Sequence, residues 1–247
     1  MTLVITEISE HGIAMVADSA VTQTVPLPSG IGMTRILNGA QKLQVIPQLR
    51  AGISIWGLGS VQTANGWIPA DLWICDFIKS NNTIASLDDF ANQLAQELQL
   101  AVGDVKEPMG LHLAGYVDHN GEIQPTAYHI RNCDGDYQHY DLHDFIPGLQ
   151  FPPSPLQPGA LYMIRNGDYG PYAILSEVSW LALEEIKRSI SLEIPHPSLW
   201  GRMSYLSAWV KFVSDLYASS GLYRTIGGSV TSLGITTTGE VIYQPGS

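Results

Sequence analysis

MTLVITEISEHGIAMVADSAVT, residues 1–22, is the stretch on which the reading of this chain turns. Two short apolar and β-branched runs, 2–8 and 11–17, flank the polar break Ser9-Glu10-His11-Gly12 and predict an antiparallel hairpin. Ala17-Asp18-Ser19 closes the second run, with Asp18 sixteen positions after Thr2. Thr2 follows Met1, and its side chain is small, so removal of Met1 leaves a threonine with a free α-amine. One residue then carries a hydroxyl nucleophile and a neighbouring amine base. The reference pKa of that amine lies near 8, so a modest downward shift keeps it neutral at cytosolic pH.

Outward from this hairpin, strands and helices follow in blocks. Residues 23–40 contain Pro26, Pro28, Gly30, Gly32 and Gly39 and are expected to form a long loop. Strands are expected at about 42–46 and 50–56, joined around Pro47-Gln48, and Trp56-Gly57-Leu58-Gly59 leads into helical patterning. Leu72, Ile74, Cys75 and Ile78 lie near helical spacing. Ser86-Leu87-Asp88-Asp89 reads as an N-cap and an acidic first turn, opening a helix with Phe90, Leu94, Leu98 and Ala101 on one face and Gly103 at its end. Strands return at 110–117, 123–130 and 136–141, the first two joined by the turn Asp118-His119-Asn120-Gly121. The Pro-rich stretch 146–158 reads as a stiff surface loop before a strand at 160–165. Helices are expected at 172–190 and 198–220, separated by Pro195-His196-Pro197, and strands at 228–235 and 240–244 finish the chain.

Strands outnumber helices and are mostly hairpin-connected, which excludes a doubly wound βαβ fold. The expected class is α+β, a four-layer αββα sandwich in which two antiparallel sheets pack face to face, each flanked by a helix pair. The chain is read as a single domain over residues 1–247. It is 45% hydrophobic and 14% charged, so it can bury a sizeable core; a charge fraction below the usual quarter points to homo-oligomerisation. A net charge of −11 with 12 Lys+Arg argues against a nucleic-acid or anionic-membrane surface. Cys75 and Cys133 form no metal or disulfide pattern and read as reduced thiols. With no signal-like N-terminus and no apolar run near about 18 residues, the expectation is a soluble cytoplasmic protein.

Thr2-Leu3-Val4 through Ala17-Asp18-Ser19-Ala20-Val21-Thr22 resembles the start of a proteasome β-type subunit. Lys42-Leu43-Gln44-Val45-Ile46 resembles that family's lysine strand, and Ile53-Ser54-Ile55-Trp56-Gly57 its next strand with the oxyanion glycine. Leu113-Ala114-Gly115-Tyr116-Val117-Asp118 looks like a later family strand. Gly170-Pro171-Tyr172-Ala173 is similar to the start of the third helix in HslV-type peptidases, and Gly227-Gly228-Ser229-Val230 looks like the closing strand. The resemblance spans nearly the whole chain and extends to divergent bacterial, Anbu-like homologues. It implies an N-terminal nucleophile (Ntn) hydrolase in a ring or helical homo-oligomer, acting on peptide or unfolded-protein substrates without metal or organic cofactor. An ATPase unfoldase partner is left open.

Carried over, Thr2 Oγ attacks a peptide carbonyl and the Thr2 amine takes the proton. Lys42 stabilises the developing charge and depresses the amine pKa, and Asp18 pairs with Lys42. The Gly57 N–H is the implied oxyanion donor, and backbone groups of Thr22 and Gly59 hold substrate as an added strand. Val21, Ala40 and Ile55 fall where the family lines its first specificity pocket, implying an apolar pocket; plain core is the other reading. Where the family has a supporting Ser near its third helix this chain has Asp168, and where it has Asp and Ser before the closing glycines this chain has Tyr223 and Ile226.

Other readings stand beside these. Thr2 is also an ordinary strand-start residue, Asp18 a turn former, Lys42 a solvated strand-edge lysine, and Gly57 and Gly59 a bulge or helix entry. No phosphate-loop pattern follows Gly59. His139, Asp141 and His143 alternate onto one strand face, as metal ligands would, or are exposed polar positions; no metal is expected. Trp180 and Leu183 read as core, and Trp200, Tyr205 and Trp209 as core or subunit interface. A silent ring or scaffold subunit, and an Ntn-type amidase or peptide ligase that passes the acyl group to an amine, are the alternative functions.

Overall fold

The computed structural model describes residues 2–26, 32–63, 66–103, 107–135, 139–168, 170, 173–174, 198–219 and 226–246, with backbone only at 22–26, 32–37 and 62. Two five-stranded antiparallel sheets dominate it. In the first, β1 (Leu3–Ser9) and β2 (Gly12–Asp18) form the expected hairpin, with Val4 opposite Ala17 and Ser9 opposite Gly12. β12 (Leu161–Gly167) flanks β1, and β13 (Val230–Ile235) and β14 (Val241–Gln244) extend the sheet beyond β2. The second sheet runs β11-β10-β9-β6-β5, where β5 is Leu43–Ile46, β6 Ala51–Gly57, β9 Met109–His119, β10 Glu122–Gly135 and β11 Tyr140–Phe151.

Both faces of the β1–β2 hairpin are buried, so its apolar residues run almost continuously rather than alternating with polar ones. Val4, Ile8, Ile13, Met15 and Ala17 meet Leu43, Trp56, Ala114, Ala127 and Cys133 of the second sheet. The contact is close at Gly52, where a Cβ would lie 2.7 Å from Met15 Sδ. On its other face the hairpin presents Leu3, Ile5, Ala14 and Val16 to Leu199, Met203, Leu206, Val210 and Val213 of a helix, α3 (Leu199–Ser219). Helices α1 (Ala70–Ser80) and α2 (Leu87–Val102) cover the outer face of the second sheet, packing Ile74, Phe77, Phe90, Leu94 and Leu98 on Ile53, Leu111, Leu113 and Ile130. The class is therefore mixed α+β, with two large antiparallel sheets and three helices among the described residues.

The local signals explain the ends of these elements. Ser86 Oγ accepts the Asp89 N–H at 3.0 Å and Gly103 closes α2 with φ +58°. Asn120 and Gly121 both have positive φ, as a two-residue hairpin turn of this hand requires. Three expectations fail. The 23–40 loop contains a two-stranded hairpin, β3 (Val21–Pro26) paired with β4 (Gly32–Leu37). A second small hairpin, β7 (Ser60–Thr63) with β8 (Gly66–Pro69), separates β6 from α1. The strand expected at 136–141 begins at Tyr140 and continues through Pro147 to Phe151, into the expected Pro-rich loop. Pro147 is tolerated there because β11 is an edge strand, with a free side that needs no N–H. The helix expected at 172–190, Trp180, Leu183, the Pro195–Pro197 break and Tyr223 lie outside the described residues.

Candidate active site

Thr2 immediately precedes β1 and Asp18 ends β2, so the hairpin register sets them side by side. Both are buried. The Thr2 hydroxyl donates to Asp18 Oδ1 at 2.6 Å, and the Leu3 N–H donates to the same oxygen at 2.9 Å. Lys42 comes from the second sheet, one residue before β5, where its carbonyl accepts the Ile55 N–H at 3.0 Å. Its ammonium donates to Thr2 Oγ, to Asp18 Oδ1 at 2.9 Å and to the Ala20 carbonyl. Three of the residues expected at the site therefore meet around one hydroxyl, across the sheet–sheet interface.

The carboxylate of Asp18 is the hub. Its second oxygen accepts the N–H groups of Ala20 at 3.2 Å and Gly227 at 3.0 Å. The Gly227 carbonyl accepts the Ser19 and Ala20 N–H groups in return. Ser19 Oγ accepts the Ser229 N–H at 2.9 Å. Support from the closing segment thus reaches the site through backbone, while Ile226 is buried in the α3 cluster. Ser19 was not among the expected site residues; its signal was its position directly after Asp18.

Burial lowers the Lys42 pKa from the ordinary lysine range, and the charges of Asp18 and Asp71 only partly oppose this. The ammonium is therefore held less firmly than its pairing with Asp18 alone would hold it. Thr2 Oγ accepts from a cation and donates to an anion, so its lone pair and its proton are both oriented before any substrate arrives.

Asp168 meets Thr2 through backbone: its N–H donates to the Thr2 carbonyl at 2.7 Å, and its carboxylate accepts the Tyr217 hydroxyl from α3. Gly167 precedes it with φ +88°, where a Cβ would lie 1.8 Å from the Thr2 carbonyl oxygen, so only glycine allows this approach. Gly57 ends β6 with φ +87°, and a Cβ there would meet the Pro108 carbonyl oxygen at 2.2 Å.

A cleft opens at Thr2 and Lys42. Val21, Ala40, Ile55, Gly57 and Gly59 line it, together with Ala20, Leu58, Ala70 and Asp71. Ile55 also packs in the α1–α2 cluster. Of the backbone groups of Gly59, the carbonyl is taken by the Ala70 N–H at 3.0 Å. Thr22 lies in β3 opposite Ile36. Ala70 and Asp71 were missed because the β7–β8 hairpin that brings α1 to the cleft was missed.

The remaining candidates lie elsewhere. Asp141 and His143 are on the edge strand β11, and His143 faces Asp134 at 3.4 Å. Among the described residues no cluster of three or more His, Cys, Asp or Glu could hold a metal. Cys75 and Cys133 are free thiols. Trp200 is half exposed on α3, and Tyr205 and Trp209 meet edge to face beside the α3 core. No helix among the described residues is long and apolar enough to cross a membrane.

No protein-family model matches this chain, and no curated protein matches it in sequence. Among solved structures it is similar to an Anbu mutant from Hyphomicrobium sp. strain MC1, with a TM-score of 0.50 and 14% identity over 98% of this chain and 85% of that one. At that identity the likeness shows the fold.

Proposed function

We propose that this chain is a proteasome-like Ntn hydrolase with the complete αββα architecture, a threonine-type peptidase whose nucleophile is Thr2 after removal of Met1. The observation that carries this is the convergence of Lys42 and Asp18 on the Thr2 hydroxyl at the rim of a cleft. The fold likeness to Anbu supports the same reading.

In this mechanism the peptide lies along the cleft with its scissile carbonyl over Thr2 Oγ. The bond formed is Oγ–C, and the hydroxyl proton passes to the free α-amine of Thr2. The Lys42 ammonium and the Gly57 N–H face the negative charge that develops. Collapse breaks the C–N bond, the leaving amine takes the proton, and an ester remains at Thr2 until water attacks it. Asp18 orients both Lys42 and the hydroxyl. Gly167 and the Asp168 N–H fix the Thr2 backbone, and Asp168 acts as a positioning residue. A homo-oligomer in a ring or helical array and a cytoplasmic location belong to the same proposal.

The test is the N-terminal state together with turnover. Intact mass of the purified protein is expected to lack Met1, and a fluorogenic peptide panel to be cleaved by the native chain and not by Thr2→Ala. Quantitative retention of Met1, which ties the amine into a peptide bond, with no cleavage, leaves the scaffold reading in its place. Adding a peptide amine to the assay separates hydrolysis from ligation by the joined product.

A further inference from the structure

The Thr2 cleft carries a second carboxylate, one that does not touch the Thr2 hydroxyl. Asp71 lies in the first turn of α1 and lines the cleft with Val21, Ala40 and Ile55. Its backbone is fixed, because the Asp71 carbonyl accepts the Gln44 side-chain amide at 2.6 Å. Its carboxylate is anchored at one end only, where Oδ2 accepts the Gln41 N–H at 2.9 Å. Among the described residues, no cation pairs with it and no donor reaches Oδ1.

The nearby cation is not available to it. A lysine ammonium has three protons to donate. In Lys42 they go to Thr2 Oγ, Asp18 Oδ1 and the Ala20 carbonyl. Asp71 is close enough to influence Lys42 through space, yet Lys42 has no proton left for it.

Apart from Thr2 and Lys42 the rest of the cleft lining is apolar, and it is tight: a Cβ on Gly59 would lie 2.6 Å from Val21 Cγ1, so Val21 packs directly on Gly59. Apolar walls with one half-buried carboxylate match a side chain that has a methylene stem and a cationic head. The β7–β8 hairpin makes this arrangement possible, since it sets where α1 begins and so brings Asp71 to the cleft.

We infer that Asp71 is a specificity-determining residue and that the cleft selects a lysine or arginine side chain, its stem against Val21, Ala40 and Ile55 and its cationic head on the Asp71 carboxylate. The inference rests on the hydrolase reading for what happens next to that side chain, but not for its binding.

Two measurements separate the two claims. In the first, peptides that differ only in arginine, leucine or glutamate before the scissile bond are compared by kcat/KM. Arginine is expected to exceed leucine by about tenfold or more, and glutamate to be the poorest. In Asp71→Asn, which keeps an oxygen for the Gln41 N–H, the arginine-to-leucine ratio is expected to collapse towards one; Asp71→Glu is expected to restore it. A wild-type preference for leucine, or a ratio unchanged in Asp71→Asn, overturns the inference.

In the second, the same peptides are titrated against Thr2→Ala by fluorescence anisotropy, which needs no catalysis. Tighter binding of the arginine peptide that is lost in Thr2→Ala/Asp71→Asn supports the inference even if no peptide is cleaved. Equal binding of the arginine and leucine peptides, or binding of neither, overturns it. Cleavage lost with binding preference kept removes only the hydrolase reading.

Discussion

Among the described residues two carboxylate–cation pairs are buried, and they differ in whom they serve. Glu7, on β1, is wholly buried and is gripped by Arg202 of α3, with Nε on Oε1 at 2.7 Å and a second N–H on Oε2. That pair is bidentate and joins helix to sheet, with the Arg202 guanidinium also lying over the Tyr205 ring. Lys42 and Asp18, on opposite sheets, share Thr2 Oγ between them, and Thr2 and Lys42 border a cleft. The first pair ties two elements together; the second, on the proposed function, directs its field at a third group, a hydroxyl.

Substitution at each pair is the sharpest way to break this contrast. Lys42→Met is expected to slow labelling of Thr2 by an electrophile by about 10³-fold, because the positive charge that offsets the developing oxyanion is gone. Its effect on stability is expected to be the smaller one, since Asp18 keeps the Leu3, Ala20 and Gly227 N–H groups and the Thr2 hydroxyl. Arg202→Met reverses the pattern. It leaves Glu7 charged and unpaired in the core and is expected to cost about 3–5 kcal/mol in denaturant melts, with labelling per folded molecule unchanged. Equal behaviour of the two variants would erase the distinction.

Acid melts ask whether these pairs set the acid limit. His112 is buried between the sheets against Thr6 Oγ1 at 3.0 Å and Asn166 Oδ1 at 2.8 Å, and burial pushes its pKa down to about 4 from 6.5. The unfolded imidazole binds a proton near 6.5 and the folded one only near 4. Between those values the unfolded state holds more protons, so stability falls as pH drops through the window and the His112 contribution levels off below it. The expected loss is about 3 kcal/mol. It should persist in Arg202→Met and shrink in His112→Asn, where His129, whose pKa burial also pushes down to about 2, keeps its own share. An unchanged acid loss in His112→Asn would take His112 out of the acid limit. The smallest effect lies far from both pairs: Ser86→Ala removes the α2 cap and is expected to cost about 1 kcal/mol, with labelling unchanged.

The contrast also marks how far the sequence could be read. Strong local chemistry was legible: the Ser9–Gly12 break, the Ser86 cap and the Asn120-Gly121 turn each fix their own geometry. Thr2 and Asp18 were legible because their sixteen-residue spacing matches the resemblance, and Lys42 because the strand it opens resembles the family's lysine strand although a longer loop precedes it. The two small hairpins at 21–37 and 60–69 were not, because glycine and proline mark turns and loops alike and the pairing is settled by neighbours. The strand through Pro147 was not legible either, because edge status is a property of the sheet, not of the residue. Asp71 escaped notice for the same reason, since its place in the cleft depends on the hairpin before it. Glu7–Arg202 spans 195 positions, and no pattern in the chain couples them.

The most direct test of the central claim is covalent. The native protein is treated with a β-lactone, and the adduct is located by tandem mass spectrometry. One equivalent on Thr2, with Met1 absent and no adduct in Thr2→Ala, is the result expected. An adduct that survives Thr2→Ala, or no adduct on a chain whose Thr2 amine is free, would contradict Thr2 as the nucleophile.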